Sequence, residues 1–285
     1  MKIKVITSFK PGTWDSYSGK GIKSIAEKWP IETDIVVYLE EQKPDYDHDR
    51  ITWVDLIGAE PELSQFKKRH QNDPVACGKI QQIKNGVRRP AALKKQGGLD
   101  RDKESFLWDA VRFSNKVFCI INAVRNSPDH DYIVWIDADT YTHKPFSNSF
   151  LESLLPRDTM LTYLGREKGS QKIYPECGFV GYNLRHLEIQ NFINDWERLY
   201  SNDEIFNLLE WHDSAVLWYL SKKYVAEKNV TINDIGHGAG ANGHHVFVNS
   251  KLGEYIDHFK GEKRKISRRS SLEDYKTIQP YWRTI

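Results

Sequence analysis

Residues 131–147 read DYIVWIDADTYTHKPFS, and this stretch decides how the chain is expected to fold. The apolar run 132–136 has the continuous hydrophobicity of a strand buried on both faces, as in a parallel sheet. Two carboxylates, Asp137 and Asp139, follow directly. Alternation points both side chains to one side, and ligands of open α/β sheets bind beyond the carboxyl ends of the strands. The stretch therefore predicts a strand that delivers two acids to a binding site.

Paired carboxylates repel each other unless a cation or a shared proton joins them. A divalent cation such as Mg²⁺ or Mn²⁺ supplies that charge and leaves coordination positions for substrate phosphates. The structural alternative is an ordinary Asp-rich turn, because Asp is common in turns. The buried strand in front of the two acids and a basic helix upstream favour the metal site.

Alternating strand and helix patterns surround this stretch. Strands are predicted at 3–9, 34–41, 51–57, 158–165 and 178–184, and helices at 21–30, 104–126, 186–201 and 212–224. Strand–helix–strand units with short connections indicate an α/β fold. We expect a Rossmann-like, mixed but mostly parallel sheet flanked by helices, within one domain that spans residues 1–285.

Two segments depart from this pattern. Residues 60–103 are polar with little periodicity, and we expect a helical insertion, a flap or a solvated excursion there. The C-terminal segment 258–285 is basic, which suits a solvated tail, contact with phosphate or weak association with an anionic membrane surface.

Composition narrows the class of protein. The 285 residues are 39% hydrophobic and 12% aromatic, which is enough for a large core. The net charge of +2 favours no specific nucleic-acid partner. Three scattered cysteines fit neither a disulfide framework nor a zinc site. With no signal-peptide pattern and no apolar run of about 18–20 residues, a soluble, cytoplasmic protein is expected.

Four segments together resemble the GT-A fold glycosyltransferases, which bind a nucleotide sugar through a divalent metal. WIDADTYTHKPF resembles their Asp-x-Asp motif, and IKVITSF their first nucleotide-binding strand. DAVRFSNKVFCI resembles the helix before the metal motif. DHFKGEKRK resembles the His-x-x-Gly-x-x-Lys segment of retaining enzymes such as glycogenin and the bacterial lipooligosaccharide galactosyltransferases. The resemblance covers most of the chain except residues 60–103.

The resemblance implies roles for the metal motif and the C-terminal segment. Asp137, Asp139 and His258 would be the metal ligands, and Asp137 would also reach the ribose. A histidine ligand favours Mn²⁺ over Mg²⁺. Gly261 matches the motif, and Lys260 or Lys263 would neutralise the diphosphate. The position of the family's lysine holds Arg264, and no Pro-Trp follows.

Further candidates lie along the remaining elements. Thr7 and Ser8 would offer hydroxyls to the base or ribose, and Arg112 and Lys116 would meet the sugar or the phosphates. Two acids are the catalytic candidates. Glu176 lies just before the strand predicted at 178–184, in a segment that passes under the donor sugar in the resembled folds. Asp213 would be the general base if the enzyme inverts, or would bind the sugar if it retains. Both acids also suit structural roles, Glu176 in a turn and Asp213 as a helix-terminal acid.

The leading hypothesis is a metal-dependent glycosyltransferase that moves a sugar from a nucleoside-diphosphate sugar to a glycan, lipid or protein acceptor. One alternative is a nucleotidyltransferase that makes an activated sugar, although SFKPGTWDSYSGKG lacks a compact Gly-rich phosphate loop. The other alternative is a non-catalytic module that binds a sugar or a nucleotide.

Overall fold

The structure, a computed structural model, describes residues 1–10, 12–78, 83–84, 87–88, 105–166, 174–237, 239 and 245–276. Its strands are β1 (Ile3–Phe9), β2 (Asp34–Leu39), β3 (Ile51–Asp55), β4 (Ile83–Lys84), β5 (Val87–Arg88), β6 (Tyr132–Ile136), β7 (Thr140–Thr142), β8 (Leu161–Leu164), β9 (Glu176–Asn183), β10 (Ile232–Asp234) and β11 (Ile256–His258). Its α-helices are α1 (Gly19–Lys28), α2 (Leu56–Ala59), α3 (Pro61–His70), α4 (Ala110–Arg125), α5 (Asn148–Ser153), α6 (Ile189–Ser201), α7 (Asp213–Lys228), α8 (Val246–Asn249) and α9 (Glu262–Ser267). Short 3₁₀ or π turns occur at Trp14–Ser18, Ser105–Trp108, Glu204–Asn207, Lys251–Glu254 and Leu272–Asp274.

Seven of these strands form one mixed sheet in the order β10-β8-β9-β6-β1-β2-β3. Neighbours among β6, β1, β2 and β3 pair in parallel, as do β8 and β10. Strand β9 is antiparallel to both β6 and β8. The prediction of an α/β fold with a mostly parallel sheet flanked by helices is confirmed.

Strand β6 is buried on both faces, as its sequence predicted. Ile133 and Trp135 join the hydrophobic cluster that contains helix α4. Val134 and Ile136 join a second cluster on the other face, which contains helix α1. Every residue of β6 is buried. The carboxyl end of this central strand is therefore fixed from both sides.

Helix α4 begins later than the sequence pattern predicted. A 3₁₀ turn at Ser105–Trp108 precedes it, and the Asp109 side chain accepts a hydrogen bond from the Arg112 backbone N–H at 3.0 Å. This cap ends the turn and starts the helix. Phe106 consequently lies outside the helix and is 40% exposed, instead of extending its apolar stripe.

The polar segment 60–103 is described only in part. Helix α3 opens the segment and buries Leu63 and Phe66 in the cluster that contains α4. Strands β4 and β5 pair antiparallel to each other. The other residues between 79 and 104 lie outside the described residues.

The C-terminal part of the chain returns to the central strand. Strand β11 pairs antiparallel with β7 and sets His258 opposite Thr140. On the other side of β7, helix α1 approaches so closely that a side chain at Gly21 would meet the carbonyl oxygens of Ala138 and Thr140. The turn after β6 is therefore enclosed by α1 and β11. Residues 277–285 lie outside the described residues.

Candidate active site

Asp137 begins the tight turn that follows β6. Its backbone N–H donates to the carbonyl of Gly178 on β9 at 3.0 Å, so the strand pairing holds the residue in place. Thr140 closes the turn, because its backbone N–H at 3.0 Å and its hydroxyl at 2.8 Å both donate to the carbonyl of Asp137. Asp139 is thus fixed between two anchored residues.

His258 reaches this turn through backbone pairing. After the β11–β7 pair, the N–H of Phe259 donates to the carbonyl of Asp139 at 2.7 Å. The next residue back, His258, is 1% exposed and turns its ring toward the two acids. Backbone hydrogen bonds from a distant part of the chain therefore complete the group.

The side chains of Asp137, Asp139 and His258 converge. One ligand atom from each lies within 4.8 Å of the others, the one such group found among the described residues. His258 Nε2 is 3.2 Å from Asp139 Oδ1 and 3.9 Å from Asp137 Oδ2. The structure thus brings together the three residues predicted as metal ligands.

The donor set fits a divalent cation. The Trp135 indole N–H donates to Asp137 Oδ1 at 2.6 Å and Lys116 donates to the same oxygen at 2.9 Å, so the other oxygen faces His258. Gly178 leaves room for the imidazole, since a Cβ there would lie 2.7 Å from His258 Cε1. Two carboxylates and one imidazole suit Mn²⁺ well and Mg²⁺ acceptably.

Asp139 is strongly stabilised in its charged form. Burial opposes ionisation of Asp139, but the charges and hydrogen bonds of His258 and Lys265 hold its pKa well below the usual range. Lys265 Nζ lies 2.8 Å from Asp139 Oδ2. Burial acts to lower the pKa of His258, yet Asp139 and then Glu176 raise it. Asp139 is therefore an anion, the form in which a carboxylate binds a metal.

Lys116 links this group to a further acid. Its ammonium donates to Asp137 Oδ1 at 2.9 Å and to the carbonyl of Cys177 at 2.7 Å, and lies 2.7 Å from Asp213 Oδ2. Its side chain is only 12% exposed. Burial acts to lower its pKa, but Asp137 and Asp213 raise the pKa well above normal. Because three acceptors use its three N–H donors, Lys116 positions Asp137 and Asp213.

Asp213 stands at the start of helix α7, as expected. Its Oδ1 lies 3.9 Å from Nδ1 of His212, whose Nε2 is 2.9 Å from Glu210 Oε2. Burial opposes its ionisation, but Lys116 and then His212 hold the pKa of Asp213 far below its usual value. A carboxylate held in this way is a weak base, because base strength follows pKa.

Glu176 is a buried carboxylate at the start of β9. Arg166 pairs with it at 2.8 Å and Lys260 forms a second ion pair. Although burial opposes ionisation, Lys260 and then His258 keep the pKa of Glu176 well below normal. Its Oε1 lies 3.9 Å from His258 Nδ1. Glu176 therefore borders the metal group, and Lys260 is committed to it.

Two predicted nucleotide contacts lie at the end of β1. Thr7 is buried, and its hydroxyl lies 3.5 Å from the carbonyl of Ser8. Ser8 donates to Glu40 at 2.9 Å, and Asn115 donates to the other oxygen of Glu40 at 2.7 Å. Sequence reasoning missed Glu40, which follows β2 and carries no motif signal. The hydroxyl of Ser8 is therefore occupied by an internal network.

The basic residues of α9 differ in exposure and in the acid they contact. Gly261 precedes the helix with a φ of 87°, a conformation that favours glycine. Lys263 is exposed, whereas Arg264 pairs with Asp274. Lys265, which the sequence did not single out, is the cation that contacts Asp139. Its only sequence signal was the basic run that contains it.

Arg112 lies one helical turn before Lys116 on α4. Its side chain is exposed, and the guanidinium lies 5.5 Å from the centre of the Phe113 ring. The two basic residues expected to act together on α4 therefore differ in environment, one solvent-facing and one enclosed by acids.

A cavity of about 400 Å³ opens beyond the carboxyl ends of β1 and β2. Its lining consists of Phe9, Gly12, Trp14, Asp15, Glu41, Gln42, Pro44 and Asp45. The Phe9 and Trp14 rings are 5.5 Å apart. The volume falls in the range of small-molecule sites, which lie preferentially at this edge of α/β sheets.

No family model matches the chain, and no curated protein matches it. A solved structure described as a glycosyltransferase involved in the glycosylation of the major capsid of PBCV-1 is similar to 94% of this chain and 98% of its own, with 11% identity and a TM-score of 0.45. Among the described residues, no helix has the length and apolar character needed to cross a membrane.

Proposed function

We propose that the protein is a metal-dependent glycosyltransferase that uses a nucleoside-diphosphate sugar as donor. The observation that carries this proposal is the convergence of Asp137, Asp139 and His258 within 4.8 Å at the carboxyl end of a central strand. The two acids and the imidazole would hold Mn²⁺ or Mg²⁺, and the metal would carry the charge of the donor diphosphate.

The donor would span from the cavity beyond β1 to the metal group. Helix α9 and the residue after it connect these two places, since Arg268, directly after the helix, donates to the carbonyl of Asp15 on the cavity wall at 2.9 Å. From the same helix Lys265 contacts Asp139, and its ammonium lies 4.5 Å from the centre of the Tyr17 ring. The aromatic rings beside the cavity, Phe9 and Trp14, would contact the base.

Charge stabilisation would come mainly from the basic side chains of α9. In sugar transfer the acceptor oxygen bonds to the anomeric carbon, the bond from that carbon to the phosphate oxygen breaks, and the acceptor proton is released with the nucleoside diphosphate. Negative charge develops on the leaving oxygen, and cations placed before the reaction lower its energy. Lys265 is our candidate for this role, because the acid it pairs with, Asp139, is itself a proposed metal ligand, whereas Lys260 and Arg264 pair with Glu176 and Asp274 outside the ligand group.

Neither acid proposed as catalytic is well suited to remove a proton. Glu176 is buried and the Asp213 side chain is only 14% exposed, and both acids pair with cations that hold their pKa low against the effect of burial. We therefore assign Asp213 to orienting the donor or acceptor by hydrogen bonds. Glu176 would hold Lys260 and support His258. This arrangement fits retention better than inversion, which needs a general base.

Calorimetry with UDP, GDP and ADP in the presence of Mn²⁺ tests the proposal. We expect at least one of them to bind more tightly than about millimolar, which corresponds to about −4 kcal/mol. Binding should weaken when the metal is removed by a chelator. If none binds, or if binding is the same without metal, the proposed donor class is wrong. A nucleoside triphosphate that binds much more tightly than every diphosphate would favour the nucleotidyltransferase alternative.

A further inference from the structure

Three aromatic side chains surround His212 next to Asp213, and a fourth packs against one of them. The His212 ring lies 5.4 Å from Tyr174, 5.9 Å from Phe106 and 6.0 Å from Phe113, measured between ring centres. Tyr174 in turn lies 5.7 Å from Trp218 on α7. We refer to Phe106, Phe113, Tyr174 and Trp218 as the aromatic cluster. Its members come from the 3₁₀ turn before α4, from α4, from the residues before β9 and from α7.

The aromatic cluster faces solvent in part. Phe106 is 40% exposed, and Phe113, Tyr174 and Trp218 are half-buried, whereas His212 beneath them is buried. A single exposed aromatic residue needs no explanation, but several that meet around one buried polar residue indicate a binding surface. These aromatic side chains are not needed to fill the core, because other large side chains nearby are buried in the core cluster that contains α4.

Polar groups lie among these rings. Glu210 is 2.9 Å from His212 and its side chain is 18% exposed. Tyr174 and Glu210 both lie beside His212, since the Tyr174 ring is 5.4 Å from the His212 ring and Glu210 pairs with His212. Burial and then the Glu210 charge raise the pKa of the Tyr174 hydroxyl. The surface thus offers flat apolar faces, a carboxylate and a phenol hydroxyl.

Contacts connect the aromatic cluster to the metal group. His212 lies 3.9 Å from Asp213, Asp213 lies 2.7 Å from Lys116, and Lys116 lies 2.9 Å from Asp137. Three side chains, His212, Asp213 and Lys116, therefore join the aromatic cluster to the metal group.

We propose that the aromatic cluster is the acceptor subsite and that the acceptor it binds is a saccharide. This inference rests on the proposed function. A pyranose ring has an apolar C–H face that packs on aromatic rings and a rim of hydroxyls that bond to carboxylates and phenols, which matches this mixture. A lipid tail would need an enclosed apolar groove without the Glu210 carboxylate. Glu210 and Tyr174 would orient the saccharide so that one hydroxyl reaches the donor.

Saturation-transfer NMR with lactose, maltose and cellobiose, each at about millimolar concentration, tests the subsite. The protein is the full chain with Mn²⁺ and a mixture of UDP, GDP and ADP. We expect transfer to the ring C–H protons of at least one disaccharide, and a reduction of at least about fivefold in Phe106→Ala and in Tyr174→Ala. Phe106 is exposed enough for its variant to fold, and thermal melts verify both variants.

Tyr219→Ala is the matched control. Tyr219 is an aromatic residue of α7 that is 43% exposed and adjacent to Trp218, so it points about 100° away around the helix. We expect the control to keep the wild-type signal. No transfer to any of the three disaccharides, or equal loss in Tyr219→Ala, would overturn the subsite.

Hydrolysis of nucleotide sugars by the wild type, measured separately, distinguishes a failure of the acceptor subsite from a failure of the proposed function. Metal-dependent hydrolysis without saccharide binding would leave the proposed function in place and remove the acceptor subsite. If the protein binds a saccharide through the aromatic cluster but hydrolyses no donor, the cluster is a saccharide site. The protein would then be a sugar-binding module.

Discussion

His258 Nε2 lies 3.2 Å from Asp139 Oδ1, although the two residues come from distant parts of the chain. The antiparallel pairing of β11 with β7 creates this proximity. Because His258 is 1% exposed, the imidazole has little freedom to turn away. The pairing of β11 with β7 therefore holds the imidazole beside Asp139.

Replacing His258 with Asn should weaken Mn²⁺ binding by at least about tenfold, which corresponds to about 1.4 kcal/mol. The exchange removes the nitrogen ligand and keeps a polar side chain. Calorimetric titration with Mn²⁺ measures the effect. His130→Asn is the matched control, because His130 is another buried histidine and pairs with Asp34 at 2.7 Å. Equal Mn²⁺ affinity in His258→Asn and the wild type would show that the imidazole is not a ligand.

Lys265→Met should strengthen the binding of Mn²⁺ and weaken the binding of a nucleoside diphosphate. Without the ammonium, Asp139 loses a competing cation, so Mn²⁺ should bind several-fold more tightly to the metal-free protein. Nucleoside diphosphate should bind more weakly, because a positive charge near the phosphates is lost. Lys263→Met, an exposed neighbour on α9, should change neither affinity. If Lys263→Met weakens the diphosphate and Lys265→Met does not, the two lysines have been assigned the wrong roles.

Lys116→Met should destabilise the metal-free protein by about 1.5–3 kcal/mol, since it leaves the partly buried Asp137 and Asp213 without the cation to which both are hydrogen-bonded or paired. Arg112→Ala should change stability by about 0.5 kcal/mol or less, because the side chain is exposed. Denaturant unfolding compares the variants. A fully stable Lys116→Met protein would mean that the two acids are compensated in another way.

Acidification should destabilise the protein through His143. Burial lowers the pKa of this histidine to about 4, against 6.5 for the unfolded chain. Between these values the unfolded chain binds more protons, so stability rises with pH and its full value is present above the unfolded pKa. From pH about 7 to about 5, we expect a loss of about 1 kcal/mol, allowing for partial exposure.

His143→Gln tests the source of that pH dependence. The variant should show a smaller loss of unfolding free energy between the two pH values, measured by urea unfolding at each. If the variant and the wild type lose stability equally, the pH dependence comes from other groups.

Local patterns predicted the sheet well. The continuous apolar run of β6 implied burial on both faces, and its alternate residues do enter two separate clusters. The start of α4 was predicted too early, because Phe106 fits the apolar spacing and only the Asp109 cap shows where the helix begins. Periodicity identifies an element, while side-chain hydrogen bonds determine its ends.

The site was predictable in part. The spacing of Asp137 and Asp139 suggested a metal, but His258 came from the resemblance, since no local pattern shows that β11 pairs with β7. The sequence suggested that Lys116 meets the sugar or the phosphates, but it gave no sign that three acceptors of the protein itself enclose the ammonium. Glu40 and Lys265 had no motif. Contacts between residues far apart in sequence, such as Lys265 with Asp139, depend on tertiary packing that one sequence does not reveal.

The most direct measurement is release of nucleoside diphosphate from a panel of UDP-, GDP- and ADP-sugars with Mn²⁺, for the wild type and Asp139→Asn. We expect the wild type to hydrolyse at least one donor slowly, and a chelator to stop it. Asp139→Asn keeps the side-chain shape and removes one ligand charge, so its rate should fall by at least about 10²-fold, or about 2.7 kcal/mol. Its melting temperature without metal should match or slightly exceed that of the wild type. A mutant that releases the diphosphate at nearly the wild-type rate, or a wild type whose turnover a chelator leaves intact, would contradict the account.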